Sequence, residues 1–261
     1  MKLKLLTPLL ILSLLALPSY AKLDDDFRQK LVDKAYKFTV VKLSYFELNE
    51  NGGLVIDDSR SSEDDVFYAV DDRQYEFSKQ FSTSDTAIII MDAWADSGTE
   101  FLNTQSAPIY RNSILPLVQA FSEKDFLQYA FTNGDTNVGY SEELYDELET
   151  MIEEGSVLKR YHTNGDIENF EYELQENGIK NLIYLGFHSN MCIIGRRVGM
   201  FGMNQRGFST YFVPESSAAV ETGDGWNSGL FHEFTTSLIQ QNFAGTISKS
   251  SIINALTMQQ Q

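Results

Sequence analysis

Asp92, Lys159 and Cys192 each stand at the end of a short apolar run, and together they are a base, a cation and a nucleophile. That is the set of groups that thiol-based acyl transfer needs. Cys192 is the single cysteine of the chain. It follows the run Asn181-Leu182-Ile183-Tyr184-Leu185-Gly186, a polar turn, and then the helical pattern of Ile193, Val198, Met200, Phe201 and Met203. A thiol where a turn becomes a helix faces unpaired N–H groups and the positive end of the helix dipole, so the sequence predicts a thiolate. A lone cysteine is equally read as a small buried hydrophobe, and a strand-end lysine as a solvated one.

The elements that carry these residues alternate. Strands are predicted at 87–91, ending at Asp92, then at 126–131, at 157–159, just before Cys192, at 208–213 and at 245–247. Helices are predicted at 108–121, at 141–153 with Ser141 as N-cap, at 166–177 closed by Gly178, at 192–205 stopped by Gly207, and at 228–242. Such alternation predicts an α/β fold, a mostly parallel sheet with helices on both faces. Ligands of such sheets bind beyond the carboxyl ends of the strands, where all three residues are expected. Residues 22–84 read differently. A short helix is expected over 24–37, a strand over 39–48, a turn at Asn51-Gly52-Gly53 and an acidic, Ser-rich loop over 57–65. This segment reads as an N-terminal extension packed on a main domain of residues 85–261.

Residues 1–21 have the pattern of a secretory signal peptide, with Lys2 and Lys4, an apolar run from Leu5 to Ala16, and cleavage after Ala21. The expected location is the periplasm or outside the cell, where one cysteine has no internal disulfide partner. The net charge of −17 becomes −19 without Lys2 and Lys4. Such a surface repels nucleic acid and anionic lipid, so neither is an expected partner, with no membrane contact after cleavage and a homo-oligomer left open. Asn133 to Asn137 lacks the glycine and terminal glutamate of a calcium loop. His162, His188 and His232 lack metal-ligand spacing, so neither a metal nor another cofactor is expected. Ser156 and Lys159 fit S-x-x-K in letters but would point to opposite faces of a strand.

The chain resembles the isochorismatase-like cysteine hydrolases over roughly residues 85–250. Ile88 to Asp96 resembles the family's apolar strand and D-x-Q-x-D, Lys159 stands 19 residues before Gly178-Ile179, and Gly186 to Cys192 resembles G-V-x-T-[DN]-V-C. The resemblance implies a three-layer α/β/α sandwich with a Rossmann-like sheet. It implies a Cys192–Asp92–Lys159 triad that cleaves the C–N bond of a small amide or carbamoyl compound through a thioester. It also implies a cis Phe187–His188 bond and an oxyanion hole made by the backbone N–H groups of His188 and Cys192. Trp94 stands where the family has glutamine, so Trp94 and Phe187 are read as pocket walls. Residues 131–137 hold no histidine, unlike the metal-binding nicotinamidase branch. The alternative is a catalytically inactive relative used for binding or oligomerisation.

Overall fold

The apolar run Thr86–Met91 is buried at all six positions, as a strand covered on both faces must be. In the computed structural model, which describes residues 33–44, 47–48, 54–55, 73–97, 99–133, 143–162, 164–226 and 228–258, this run lies near the middle of an eight-stranded sheet. In chain order the strands are β1 (Ala35–Ser44), β2 (Glu47–Leu48), β3 (Leu54–Val55), β4 (Arg73–Ser82), β5 (Thr86–Met91), β6 (Leu127–Thr132), β7 (Leu158–Tyr161), β8 (Asn181–Gly186), β9 (Ser209–Phe212) and β10 (Gly245–Ile247). The helices are α1 (Glu100–Ile109), α2 (Leu115–Ser122), α3 (Asp146–Glu153), α4 (Asn164–Glu176), α5 (Met200–Gln205), α6 (Leu230–Asn242) and α7 (Lys249–Met258). The proposed signal segment, the Asn51-Gly52-Gly53 turn, the acidic loop and the Ser141 cap lie outside the described residues.

The main sheet runs β4-β1-β10-β9-β8-β5-β6-β7. The six strands from β10 to β7 are parallel, so the fold is the expected α/β sandwich. Ile88, Ile90, Ala130, Ile183 and Leu185 face one helical layer, in a core with Leu117, Phe121, Ile252 and Leu256 of α2 and α7. Alternate residues face the other layer, where Phe170 of α4 meets Tyr129 and Phe131 edge to face. Connections from β5 run outward through β6 and β7, and those from β8 run the other way through β9 and β10. The reversal between β5 and β8 opens a crevice at their carboxyl ends, the place where such folds bind ligands.

Two expectations are corrected here. β1 and β4 are strands of the main sheet, paired antiparallel along ten residues, and β1 also pairs with β10. The helix expected at 24–37 therefore yields to strand from Ala35 onward. Tyr36, Phe38 and Val40 point inward and Lys37 and Thr39 outward, the alternation of a strand with one covered face. Phe38 and Phe81 stack at 5.0 Å, and Phe81 meets Tyr211 of β9 edge to face. Each such aromatic contributes roughly 1.5–3 kcal/mol by burial. Second, the helix expected at 192–205 is broken. A five-residue π turn covers Ser189–Ile193, and α5 starts only at Met200. Between them the backbone folds back at Gly199, where a Cβ would sit 2.8–2.9 Å from the carbonyl oxygens of Ile193, Arg196 and Cys192.

Candidate active site

The floor of the crevice is set by backbone. β5 and β8 pair in register up to Met91 opposite Gly186. Gly186 has φ of 109°, and a Cβ there would lie 2.0 Å from the Met91 carbonyl oxygen, so only glycine lets the two strand ends close up. Asp92 follows at φ of 45°, a left-handed conformation that a short polar side chain tolerates. Its N–H donates to Phe131 O at 2.9 Å, and its carbonyl accepts from Trp94 N at 2.9 Å. That tight turn aims the Asp92 side chain into the crevice rather than along the strand.

Past Gly186 the peptide between Phe187 and His188 is cis, as the resemblance implies. The turn that follows is clasped to the segment 214–220. Asn190 Nδ2 donates to Val220 O and Asn190 Oδ1 accepts from Val220 N, both at 2.9 Å. His232 Nε2 lies 3.1 Å from the Pro214 carbonyl, which only accepts, so Nε2 carries the hydrogen. Nδ1 is then the acceptor for the buried Ser189 hydroxyl at 2.9 Å. Ser189 and Asn190 thus fix the turn that carries Cys192.

Cys192 and Asp92 meet in a pocket of about 270 Å³, mouth included, lined also by Trp94, Ser97, Ser106, Phe187 and His188. The Asp92 carboxylate and the Arg196 guanidinium both act on the Cys192 thiol, in opposite directions. Burial first, and then the Asp92 carboxylate, pushes the thiol up to about 12, against the opposing pull of Arg196. The expected resting thiolate is therefore reversed. Cys192 is the fourth residue of a short π turn rather than the first of a helix, and its nearest carboxylate holds the proton on sulfur. Asp92 itself is 3% exposed. Its Oδ1 lies 2.8 Å from His162 Nε2 and its Oδ2 3.5 Å from Arg196 Nη2. His162 stacks against Phe131, and Arg196 also donates to Asn133 Oδ1 at 2.8 Å. Trp94 is held as a wall by its Nε1–H, which donates to Thr132 Oγ1 at 2.9 Å.

Lys159 is not in this group. It pairs with Glu149 of α3 at 2.6 Å. The reason is a strand boundary: β7 runs on to Tyr161, so Lys159 lies inside the strand opposite Ala130, in the row of Ile90, and not at its end. The residue that does follow the strand end is His162, whose N–H continues the ladder to Thr132 O. The cation beside Cys192 and Asp92 is Arg196, four residues after the cysteine. That helical spacing, which places two side chains on one face, was the signal available for it in the sequence.

The buried histidines give the site an acid limit. Burial pulls His188 down to about 4, with Asp92 opposing, and burial lowers His232 as well. The unfolded chain takes up these protons first, near pH 6.5, so stability is present above that value and is lost as pH falls toward 4. The His188 shift alone corresponds to on the order of 3 kcal/mol. Urea unfolding at pH 7, 5.5 and 4.5 should show this slope in the wild type and a shallower one in His188→Gln. Parallel profiles would show that His188 does not fold as the neutral imidazole.

No family model and no curated protein matches the sequence. Solved structures do. An isochorismatase from Pseudomonas putida KT2440 superposes with a TM-score of 0.52 at 20% identity, over 65% of this chain and 90% of that one. The YcaC gene product of Escherichia coli, described as an octameric hydrolase of unknown specificity, gives 0.51 at 16% identity, over 67% and 81%. A cysteine hydrolase from Pseudomonas syringae pv. phaseolicola 1448A gives 0.50 at 13% identity, over 68% and 95%. The chain thus has the isochorismatase-like fold.

Proposed function

We propose that this protein is a cysteine hydrolase that cleaves the C–N bond of a small amide or carbamoyl compound. The observation that carries this reading is that the Cys192 thiol and the buried Asp92 carboxylate line one small, largely apolar pocket at the β5/β8 reversal. Neighbours of the same fold that are described as hydrolases support it. As sulfur attacks the carbonyl carbon, Asp92 takes the thiol proton, so no resting thiolate is needed. The oxyanion of the tetrahedral adduct is received by the backbone N–H groups of His188 and Cys192. Asp92 then passes its proton to the leaving nitrogen, and the amine departs. Water attacks the Cys192 thioester with Asp92 again as base, releasing the acid and restoring the thiol. Arg196, in the role first assigned to Lys159, balances the Asp92 charge and eases proton loss from sulfur, while His162 holds the carboxylate in place. This chemistry runs on the chain's own side chains without a metal. The setting proposed for it is the periplasm or the exterior, on the charge and apolar pattern of residues 1–21.

The test is ammonia release from a panel of small primary amides, followed by mass spectrometry of the acyl-enzyme. Turnover should vanish in Cys192→Ala, and a thioester adduct should accumulate on Cys192 in the wild type during a burst. No ammonia and no adduct from any amide would favour the second reading, a relative that binds without turning over. One observation speaks for that reading: the thiol sits far above its ordinary value, with Lys159 engaged elsewhere.

A further inference from the structure

His188 Nε2 is buried and has no hydrogen-bond partner. The residue is only 8% exposed, yet it lines the pocket beside Asp92 and Cys192. The polar side-chain atoms of Ser97, Ser106 and Trp94 on that wall are engaged. Ser97 Oγ donates to Asn103 Oδ1 at 2.6 Å, Ser106 Oγ to Asn103 O at 3.5 Å, and Trp94 Nε1 to Thr132. The Asp92 carboxylate is taken by His162 and Arg196. Phe187, the neighbouring ring, offers neither donor nor acceptor. An unpaired nitrogen in so enclosed a place is costly in the empty protein, and a ligand that pairs with it recovers the loss.

The imidazole is neutral above about pH 5, since burial holds it near 4. A neutral imidazole nitrogen is either donor or acceptor, according to the tautomer. A hydroxyl can meet either one, because it both donates and accepts. The pocket is small, about 270 Å³ with its mouth, so a group that reaches His188 while the carbonyl lies at Cys192 must be attached close to that carbonyl. We propose that the His188 side chain selects the substrate by a hydrogen bond from or to Nε2, and that the preferred substrates are small, uncharged amides with a hydroxyl on the carbon next to the scissile carbonyl. This rests on the amide-hydrolase reading for the orientation of the substrate.

Lactamide and isobutyramide form a matched pair, differing by hydroxyl against methyl. Each is used to protect Cys192 of the full chain from alkylation by iodoacetamide, which reads binding without requiring turnover. In the wild type, lactamide should half-protect at about one tenth of the isobutyramide concentration, the discrimination given by one buried hydrogen bond. The ratio should fall to near one in His188→Leu and be partly restored in His188→Gln, whose side-chain amide can also meet a hydroxyl. Equal protection in the wild type, including none by either amide, overturns the assignment whatever the variants do. So does a ratio that survives in His188→Leu. If the protection ratio holds but neither amide releases ammonia, the hydrolase reading fails and the His188 contact stands.

Discussion

Asparagine in place of Asp92 is expected to give a thiol that loses its proton more readily and a protein that turns over about 10²–10⁴ times more slowly. The two effects come from one carboxylate. In the folded chain its charge beside the sulfur holds the proton on Cys192 and pushes the thiol upward. The asparagine side chain has the same shape but no charge, so the thiol should titrate below the wild-type value. Turnover falls all the same, because an amide cannot take the proton at the moment sulfur attacks. A cysteine that merely packs would show no such opposition. The readout is alkylation rate against pH, set beside kcat for the same two proteins. A thiol that titrates unchanged or higher in Asp92→Asn would take the carboxylate out of the proton's path.

Removing the cation should separate the two basic residues that compete for that role. Arg196→Met deletes the group that pulls the thiol downward, so Cys192 should titrate higher still. Because Arg196 eases proton loss from sulfur during the attack itself, each unit of that rise should lower kcat by up to about tenfold. Lys159→Met should leave the thiol profile as it is. Its ion pair with Glu149 is partly exposed, and loss of such a pair costs about 0.2–1 kcal/mol of stability at most. The opposite result, with Lys159→Met shifting the thiol and Arg196→Met silent, would restore the lysine to the site and displace the arginine. Double substitution tests independence: with the two residues in separate clusters, their effects should add.

The residues that were readable from sequence are those whose position follows from a strand end. Asp92 closes a buried apolar run and Cys192 follows one after a short turn, and the length of those runs marks where each strand stops. Lys159 and His162 share a run of mixed polarity, Leu158-Lys159-Arg160-Tyr161, on an edge strand where burial enforces no pattern. A two-residue error in the end of that strand exchanged an ion pair on α3 for the carboxylate's own partner. For Arg196 the four-residue spacing from Cys192 pointed to the thiol but not to the carboxylate. Its approach to Asp92 depends on a π turn and a chain reversal at Gly199, neither of which the helical spacing of Ile193 to Met203 reveals. β4 was legible and overlooked: Gln74 to Phe81 alternates outward polar and inward apolar side chains, save for the half-buried Lys79, whose ammonium lies over the Tyr211 ring.

Among the described residues the antiparallel pair β1–β4 is hydrogen-bonded to the parallel strands only through β10, a strand of three residues. Its register joins Val40 to Ile247 and Val41 to Thr246, contacts that span about 200 residues of chain. During synthesis the early hairpin is therefore made long before the strand that seats it. Until then Phe81 is not held against Tyr211 of β9 by a continuous sheet, and the β1 edge is open to any passing strand. Closure of the sheet falls to the segment translated last among those strands. A nascent chain halted before Gly245 would hold an assembled β5–β8 crevice beside an unseated, sticky hairpin, so the window for misassembly is set by elongation rather than by the chemistry of the site.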